Sequence, residues 1–266
     1  MKFFLGRAHL AVCGLWFVVT FLVLFPFFWV CIALNWRRGI VAINYLWTIL
    51  FFYGCLIPVR KVGASRRIDG AAVVVANHGS YLDIPVLTDV FEQDHVFMGK
   101  SSLGKIPLFG YMYRSLHILV DRADRLSKKR SLRRATRALR EGKLLIMFPE
   151  GTIRPEIQPG VGPFKDGAFH LAVAMQVPLV PVTLPFDWQI LPDDGTFTAH
   201  YKRPLAVVHP PIPTMGLTDA DIPQLKERVR AIFMADLEVY NGHVHESNRA
   251  NGRESGPPLS PARRAV

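Results

Sequence analysis

The spacing of polar and apolar positions divides the chain into stretches with different periods. Leu10 to Leu34 is an uncharged run of 25 residues and Ile40 to Val59 a second of 20. At about 1.5 Å per residue, either is long enough as a helix to cross a hydrocarbon core of about 30 Å. From Ala71 onward, short apolar runs alternate with amphipathic ones, which is the pattern of a mixed α/β domain. Strands are predicted over Ala71 to Ala76, His95 to Gly99, Leu116 to Val120, Leu144 to Phe148 and Leu179 to Leu184, with a late pair near Phe197 to Tyr201 and Leu205 to Val208. Helices are predicted over Ile84 to Phe91, Leu108 to Arg114, Leu126 to Arg140, Lys165 to Met175 and Ile222 to Tyr240. Thr218 with Asp221 gives the last helix a capping start, and Pro223 fits its first turn. After His245 the composition turns polar with Gly, Pro and Arg, as in a disordered tail. The expected organisation is a membrane-embedded helical hairpin over 1–62, an α/β domain over 63–244 and a tail over 245–266.

Only Asn35 to Gly39 separates the two long runs, so they fold back on each other with both outer ends on one side. Lys2, Arg7, Arg60, Lys61, Arg66 and Arg67 flank that open end, against Arg37 and Arg38 at the tip, which places both termini in the cytoplasm by the positive-inside rule. Pro26 interrupts the first run, and the two tip arginines would have to cross or snorkel. A hairpin that dips into one face without crossing is therefore the alternative. A cleaved signal peptide fits poorly, because the first run is too long for a signal core and no small-residue cleavage site precedes Asn35.

Composition narrows the chemistry. The three cysteines, Cys13, Cys31 and Cys55, all lie in or beside the long runs, leaving no disulfide, thiolate nucleophile or Cys-ligated zinc for the rest of the chain. The nine histidines show no His-x3-His or comparable spacing, so no metal is expected. A net charge of +11 calls for an acidic partner: anionic lipid, nucleic acid, a phosphorylated substrate or an acidic carrier protein. Nine of the cations stand between Arg125 and Lys143, around a predicted apolar stripe of Leu132, Ala135, Thr136 and Leu139. That helix is either a solvated face packed on the sheet or a basic face for anionic lipid or an acyl carrier. Nucleic acid is disfavoured, because no basic and aromatic interleaving accompanies the charge.

Candidate chemistry begins at Asn77-His78-Gly79-Ser80-Tyr81-Leu82-Asp83, directly after the first predicted strand. Histidine titrates near neutrality and can take a proton from a hydroxyl, while a carboxylate on its other ring nitrogen fixes the tautomer. On a continuous helix the two residues would point about 140° apart, so a turn must bring them together, and Gly79 allows one. Ser80 with Asp83 also resembles a helix-capping pair, which gives Asp83 a rival role. Lys100, Lys105, Gly110 and Arg122 follow at predicted loop and strand ends, where cations can reach a phosphate. The strand Leu144 to Phe148 then runs into Pro149-Glu150-Gly151-Thr152-Ile153-Arg154. Ligands of doubly wound sheets collect beyond the carboxyl ends of strands, where this turn and the His78 loop both begin. No Gly-x-Ser-x-Gly elbow is present, and Gly99-Lys100-Ser101 lacks the upstream glycine of a nucleotide-binding loop.

Read in order from Asn77 to Thr183, these blocks closely resemble the glycerophospholipid acyltransferase family, in particular its bacterial 1-acylglycerol-3-phosphate acyltransferases. By that resemblance, His78 and Asp83 match the catalytic His-x4-Asp. Lys100, Gly110 and Arg122 match the second block; Phe148, Pro149, Glu150, Gly151 and Thr152 the third; and Pro181 the fourth. The second and third blocks imply the site for the acceptor's glycerol phosphate, with Lys100, Lys105 and Arg122 on the phosphate and Glu150 on a glycerol hydroxyl or a cation. The family usually has arginine directly after the threonine, whereas Ile153 intervenes here before Arg154. The resemblance implies transfer of an acyl chain from acyl-CoA or acyl-carrier protein, with no further cofactor, to a lysophospholipid acceptor. It also implies an inner-membrane protein with its catalytic domain on the cytoplasmic face. Two alternatives stand beside it: the same chemistry on a lyso-aminolipid or lysophosphatidylglycerol, and a membrane-tethered binding module in which His78 and Asp83 only shape a turn.

Overall fold

Ala72–Ala76 is buried at every position, as expected of a central strand covered on both faces by helices. The computed structural model describes residues 2–121 and 123–250, so Arg122 and residues 251–266 of the expected tail lie outside the described residues. Seven strands form its sheet: β1 (Arg60–Gly63), β2 (Ala72–Ala76), β3 (His95–Lys100), β4 (Ile118–Val120), β5 (Leu144–Met147), β6 (Leu179–Thr183) and β7 (Leu205–Val208). Their order is β1-β7-β6-β2-β5-β3-β4. All neighbouring pairs are parallel except β6 with β7.

Two apolar layers sandwich the sheet. On one side lie α5 (Arg125–Arg140), α6 (Gly167–Met175) and α8 (Ile222–Ala250), whose Ala135, Leu139, Phe169, Val229 and Phe233 pack on Val73, Val75 and Leu145. On the other, α3 (Asp83–Val90) packs through Val86, Leu87 and Val90 on Val74, Ala76 and Ile146. α5 turns Ser131, Ala135, Ala138 and Leu139 inward, while Leu132, expected in its apolar stripe, is 51% exposed.

The N-terminal hairpin consists of α1 (Lys2–Ala33) and α2 (Arg37–Gly54). α1 runs unbroken through Pro26, and its Leu5–Ala33 stretch is the one among the described residues long and apolar enough to cross a membrane. The helix in the second apolar run is shorter than the run and starts earlier. α2 has 18 residues, begins with the two arginines, and ends where Leu56 takes a positive φ two residues before Pro58. Phe52, Cys55 and Ile57 then enter the core beneath α3, so the chain joins the α/β layer before the sheet begins at Arg60. α4 (Phe109–Leu116) completes the contact, its Met112 and Leu116 packing with Phe21, Phe28 and Trp47 of the hairpin.

Both ends of the hairpin touch the α/β domain. At the open end the amide of Ala199 donates to the carbonyl of Gly6. At the tip, Arg37 grips the Asp94 carboxylate with Nε and Nη2, the shortest contact being 2.6 Å, and donates from Nη1 to the carbonyls of Ser115 and Leu116. Lys61, counted among the cations of the open end, is likewise taken up by Asp89 at 2.8 Å. The hairpin thus lies along one side of the domain, in contact with it at the tip and at the open end.

Other boundaries shift for local reasons. No strand forms over Phe197 to Tyr201: Phe197 has a positive φ, Ala199 bonds to Gly6, and the amide of His200 donates to the carbonyl of Ile190. A four-residue helix, α7 (Asp187–Ile190), follows β6. α8 extends ten residues beyond the expected Tyr240, through the start of the expected tail. Its entry carries the predicted reciprocal cap, Thr218 with Asp221, around a single 3-10 turn.

Replacing Arg37 by Ala is expected to lower stability in detergent by roughly 1–2 kcal/mol, after discounting for the partial exposure of the pair. Arg38→Ala, at an exposed neighbouring position, should change it little. Equal unfolding midpoints for the two variants would show that the clasp contributes nothing.

Candidate active site

Four neighbouring strands, β6, β2, β5 and β3, deliver residues to one end of the sheet. β2 is followed at once by Asn77 and His78, β5 by Phe148, Pro149 and Glu150, β6 by the segment leading to Asp187, and β3 ends at Lys100. Asn77 fixes the first of these exits. Its side chain donates to the carbonyl of Leu184 and accepts the Leu184 amide at 2.7 Å, lacing the end of β2 to the end of β6.

The turn required between His78 and Asp83 is present. Asp83 opens α3 with no exposed surface, and its Oδ2 accepts from His78 Nδ1 at 2.8 Å, the Gly79 amide at 2.9 Å and the Ser80 amide at 3.1 Å. The Ser80 hydroxyl oxygen accepts from the Leu82 amide, and its proton goes to the carbonyl of Leu191. Asp83 therefore closes the turn and orients the imidazole at once, and the two roles weighed from the sequence coexist. With Nδ1–H committed to Asp83, Nε2 carries the basic lone pair. The ring stacks on Phe148, centroids 4.0 Å apart, which leaves its plane little freedom.

Glu150 does the corresponding work from β5. It is 1% exposed, and its two oxygens accept the amides of His78 at 2.9 Å and Gly162 at 2.7 Å. Burial raises its pKa, opposed by those two amides and by the charges of His78 and Arg154. A carboxylate so engaged braces the His78 backbone. Arg154 stands beside it: a Cβ built on Gly162 would lie 3.0 Å from Arg154 Cδ and 3.1 Å from Glu150 Oε2. Despite the intervening Ile153, this arginine lies next to the brace of the His78 loop. Gly151 takes a positive φ in the same turn, and Thr152 is exposed.

The second block is arranged along the adjoining edge. Lys100 ends β3 and Lys105 ends the 3-10 turn Ser101–Lys105, both exposed. Gly110 serves close packing: a Cβ there would fall 2.4 Å from the carbonyl oxygen of Gly104, and its amide bonds to Ile106 at 2.7 Å. Pro181, buried in β6, accepts the His209 amide through its carbonyl.

Between the hairpin and the domain lies a cavity of about 580 Å³, lined almost wholly by apolar groups that include Phe17, Trp47, Leu82, Ile84 and Met112. Tyr81 and Leu82 of the turn between His78 and Asp83 form part of its wall. No local pattern announced it, because its walls come from segments as far apart in the chain as His9 and Ala199. The arrangement offers an oriented base, a braced turn and an apolar chamber beside them.

Residues 58–185 match the family model described as Acyltransferase. A putative 1-acyl-sn-glycerol-3-phosphate acyltransferase of Caenorhabditis elegans is 31% identical over 212 residues, covering 77% of this chain and 73% of its own length. The 1-acyl-sn-glycerol-3-phosphate acyltransferase of Escherichia coli is 36% identical over 132 residues, which are 49% of this chain and about half, 53%, of that protein. The crystal structure of the 1-acyl-sn-glycerophosphate acyltransferase from Thermotoga maritima superposes with a TM-score of 0.74 at 24% identity, over 91% of this chain and 98% of that one, and so shares the fold.

Glu150→Gln is expected to lower stability by about 1–3 kcal/mol, since one acceptor becomes an amide group facing a backbone N–H, and to depress activity through kcat. A raised KM with unchanged unfolding would instead place Glu150 on the substrate.

Proposed function

The chain belongs to the acyltransferase family, and on that premise we propose that it acylates 1-acyl-sn-glycerol-3-phosphate to phosphatidic acid, using acyl-CoA or acyl-carrier protein as donor. The observation that carries this reading is the 2.8 Å contact between His78 Nδ1 and the buried Asp83 carboxylate, at the end of β2 and beside the apolar chamber. His78 Nε2 takes the proton of the acceptor hydroxyl as its oxygen attacks the thioester carbonyl. The tetrahedral intermediate expels the thiolate, which recovers the proton from the imidazolium held by Asp83. The amides of His78, Gly79 and Ser80 are already given to carboxylates. We therefore assign the oxyanion donors to the turn after β5, apart from the Gly151 amide, which bonds to the carbonyl of Phe148.

Lys100, Lys105, Arg122 and Arg154 are assigned to the acceptor phosphate, with Gly151 and Thr152 forming the adjoining turn; Arg122 enters from the sequence alone. The chamber takes an acyl chain, which its apolar lining suits. α1 exposes Val12, Leu15, Phe27 and Trp29, the tip Leu34 and Trp36, and α2 Leu46 and Tyr53, apolar surface of the kind that meets lipid. Because the tip and the open end of the hairpin both contact the α/β domain, we assign it to one face of the membrane, with the domain on the cytoplasmic side. The outward cations of α5, including Arg130, Arg133 and Arg137, then face anionic lipid or an acidic carrier protein.

Incubating the protein with lysophosphatidic acid and acyl thioester, with lipids read by mass spectrometry, should give phosphatidic acid. Lysophosphatidylglycerol and a lyso-aminolipid, run in parallel, report on the acceptor. His78→Ala should abolish transfer while the protein folds and binds membrane as before; turnover in that variant rejects the base assignment. Reversing the charges of Arg130, Arg133, Arg134 and Arg137 together should weaken low-salt liposome binding or use of the carrier protein, and unchanged values of both remove the role given to α5.

A further inference from the structure

Asp187 is a second buried carboxyl behind the catalytic turn. It has no exposed surface, although it opens only the short helix α7, and neither of its oxygens meets a protein donor among the described residues. Asp83 Oδ1, the oxygen not used by the turn, is in the same condition. These orphaned oxygens belong to neighbouring side chains, since each aspartate is among the groups that act on the other's ionisation. Two carboxylate oxygens repel unless a proton lies between them, and an unpaired second charge at full burial would be prohibitive.

The proton's position follows from the donors around each acid. Asp83 Oδ2 already receives the imidazole N–H and two amides, all of which favour its anion. Asp187 receives none, and so favours its neutral form. The segment is also locked to the catalytic turn. Asn77 pairs with Leu184 in both directions, the Ser80 hydroxyl bonds to the carbonyl of Leu191, and a Cβ on Gly79 would lie 3.0 Å from Trp188 Cβ.

We infer that Asp187 is a positioning residue: held as a neutral carboxylic acid, it donates a hydrogen bond to Asp83 Oδ1, completing an imidazole–carboxylate–carboxylic acid chain that keeps Asp83 anionic toward His78. Burial and the Asp83 charge both push the Asp187 pKa far upward, which agrees. Burial also carries the Asp83 pKa up to about 8, against the pull of the Ser80 amide, the Asp187 side chain and the Gly79 amide and with Glu150 adding to the rise; the shared proton is placed on Asp187 because the imidazole and amide donors all converge on Asp83.

This role rests on the reading of His78 as base, so the experiment combines a rate measurement with one independent of turnover. Difference infrared spectroscopy of the full chain with isotope-labelled aspartate should show the carbonyl stretch of a protonated carboxylic acid at neutral pH, lost in Asp187→Asn and kept in His78→Ala. In the pH profile of kcat/KM, Asp187→Asn should leave the acid limb in place, because its amide still donates. Asp187→Leu should move that limb upward by about one pH unit, since the His78–Asp83 pair then holds an added proton more tightly, and should cut kcat at neutral pH roughly tenfold with little change in KM. A missing infrared band overturns the inference while leaving the base assignment intact. A downward shift in Asp187→Asn shows Asp187 to be an anion, and unchanged profiles in both variants reduce it to packing; either result also overturns it. Turnover in His78→Ala with the infrared band present rejects the base and leaves the buried acid pair standing.

Discussion

Two carboxylates buried at the carboxyl end of the sheet set the geometry of everything near them. A charge taken out of water must be given donors, and Asp83 and Glu150 find theirs in the backbone of the loop that carries the histidine. Three consecutive amides, His78, Gly79 and Ser80, are spent on these two side chains. The imidazole is thereby aimed by its backbone as well as by its ring nitrogen, and Phe148 closes the remaining freedom by stacking. The reactive group sits on a loop, yet the loop is fixed from α3, β5 and β6.

The same reasoning accounts for the relation between the anchor and the enzyme. Arg37 and Lys61 look from their positions like charges that flank a membrane segment, but each is taken up by an aspartate of the α/β domain. Once these pairs and the packing of Trp47 and Phe28 against α4 are formed, the hairpin becomes one wall of a chamber whose other wall is the catalytic turn. On the proposed reading, lipid contact and substrate contact are then opposite faces of the same two helices.

The parts legible in the sequence were those encoded by short contiguous signals. An apolar run ending in Asn77 and His78, and another ending in Pro149 and Glu150, announced two strand ends, and both lie where expected. Asp83 was legible because its partner is five residues away. Asp187 was not, since in Pro185-Phe186-Asp187-Trp188 it reads as an ordinary turn aspartate, and its burial depends on β6 lying beside β2. The bracing contacts of Glu150 were not legible for the same reason: its amide partners come from the end of the neighbouring strand β2 and from Gly162. Phe197 to Tyr201 has the composition of a strand, but its backbone groups are consumed by Gly6 and Ile190. No local pattern could have shown that competition.

The burial of Phe52, Cys55 and Ile57 within the core beneath α3 has a practical consequence for anyone seeking a water-soluble version of this protein. Cutting the chain at the last membrane-like residue would strip the sheet of part of its cover and expose the underside of α3, so the fragment would trade a lipid-binding surface for an aggregating one. A soluble variant would have to keep both helices and recolour their outer faces with polar side chains, leaving the inward ones untouched.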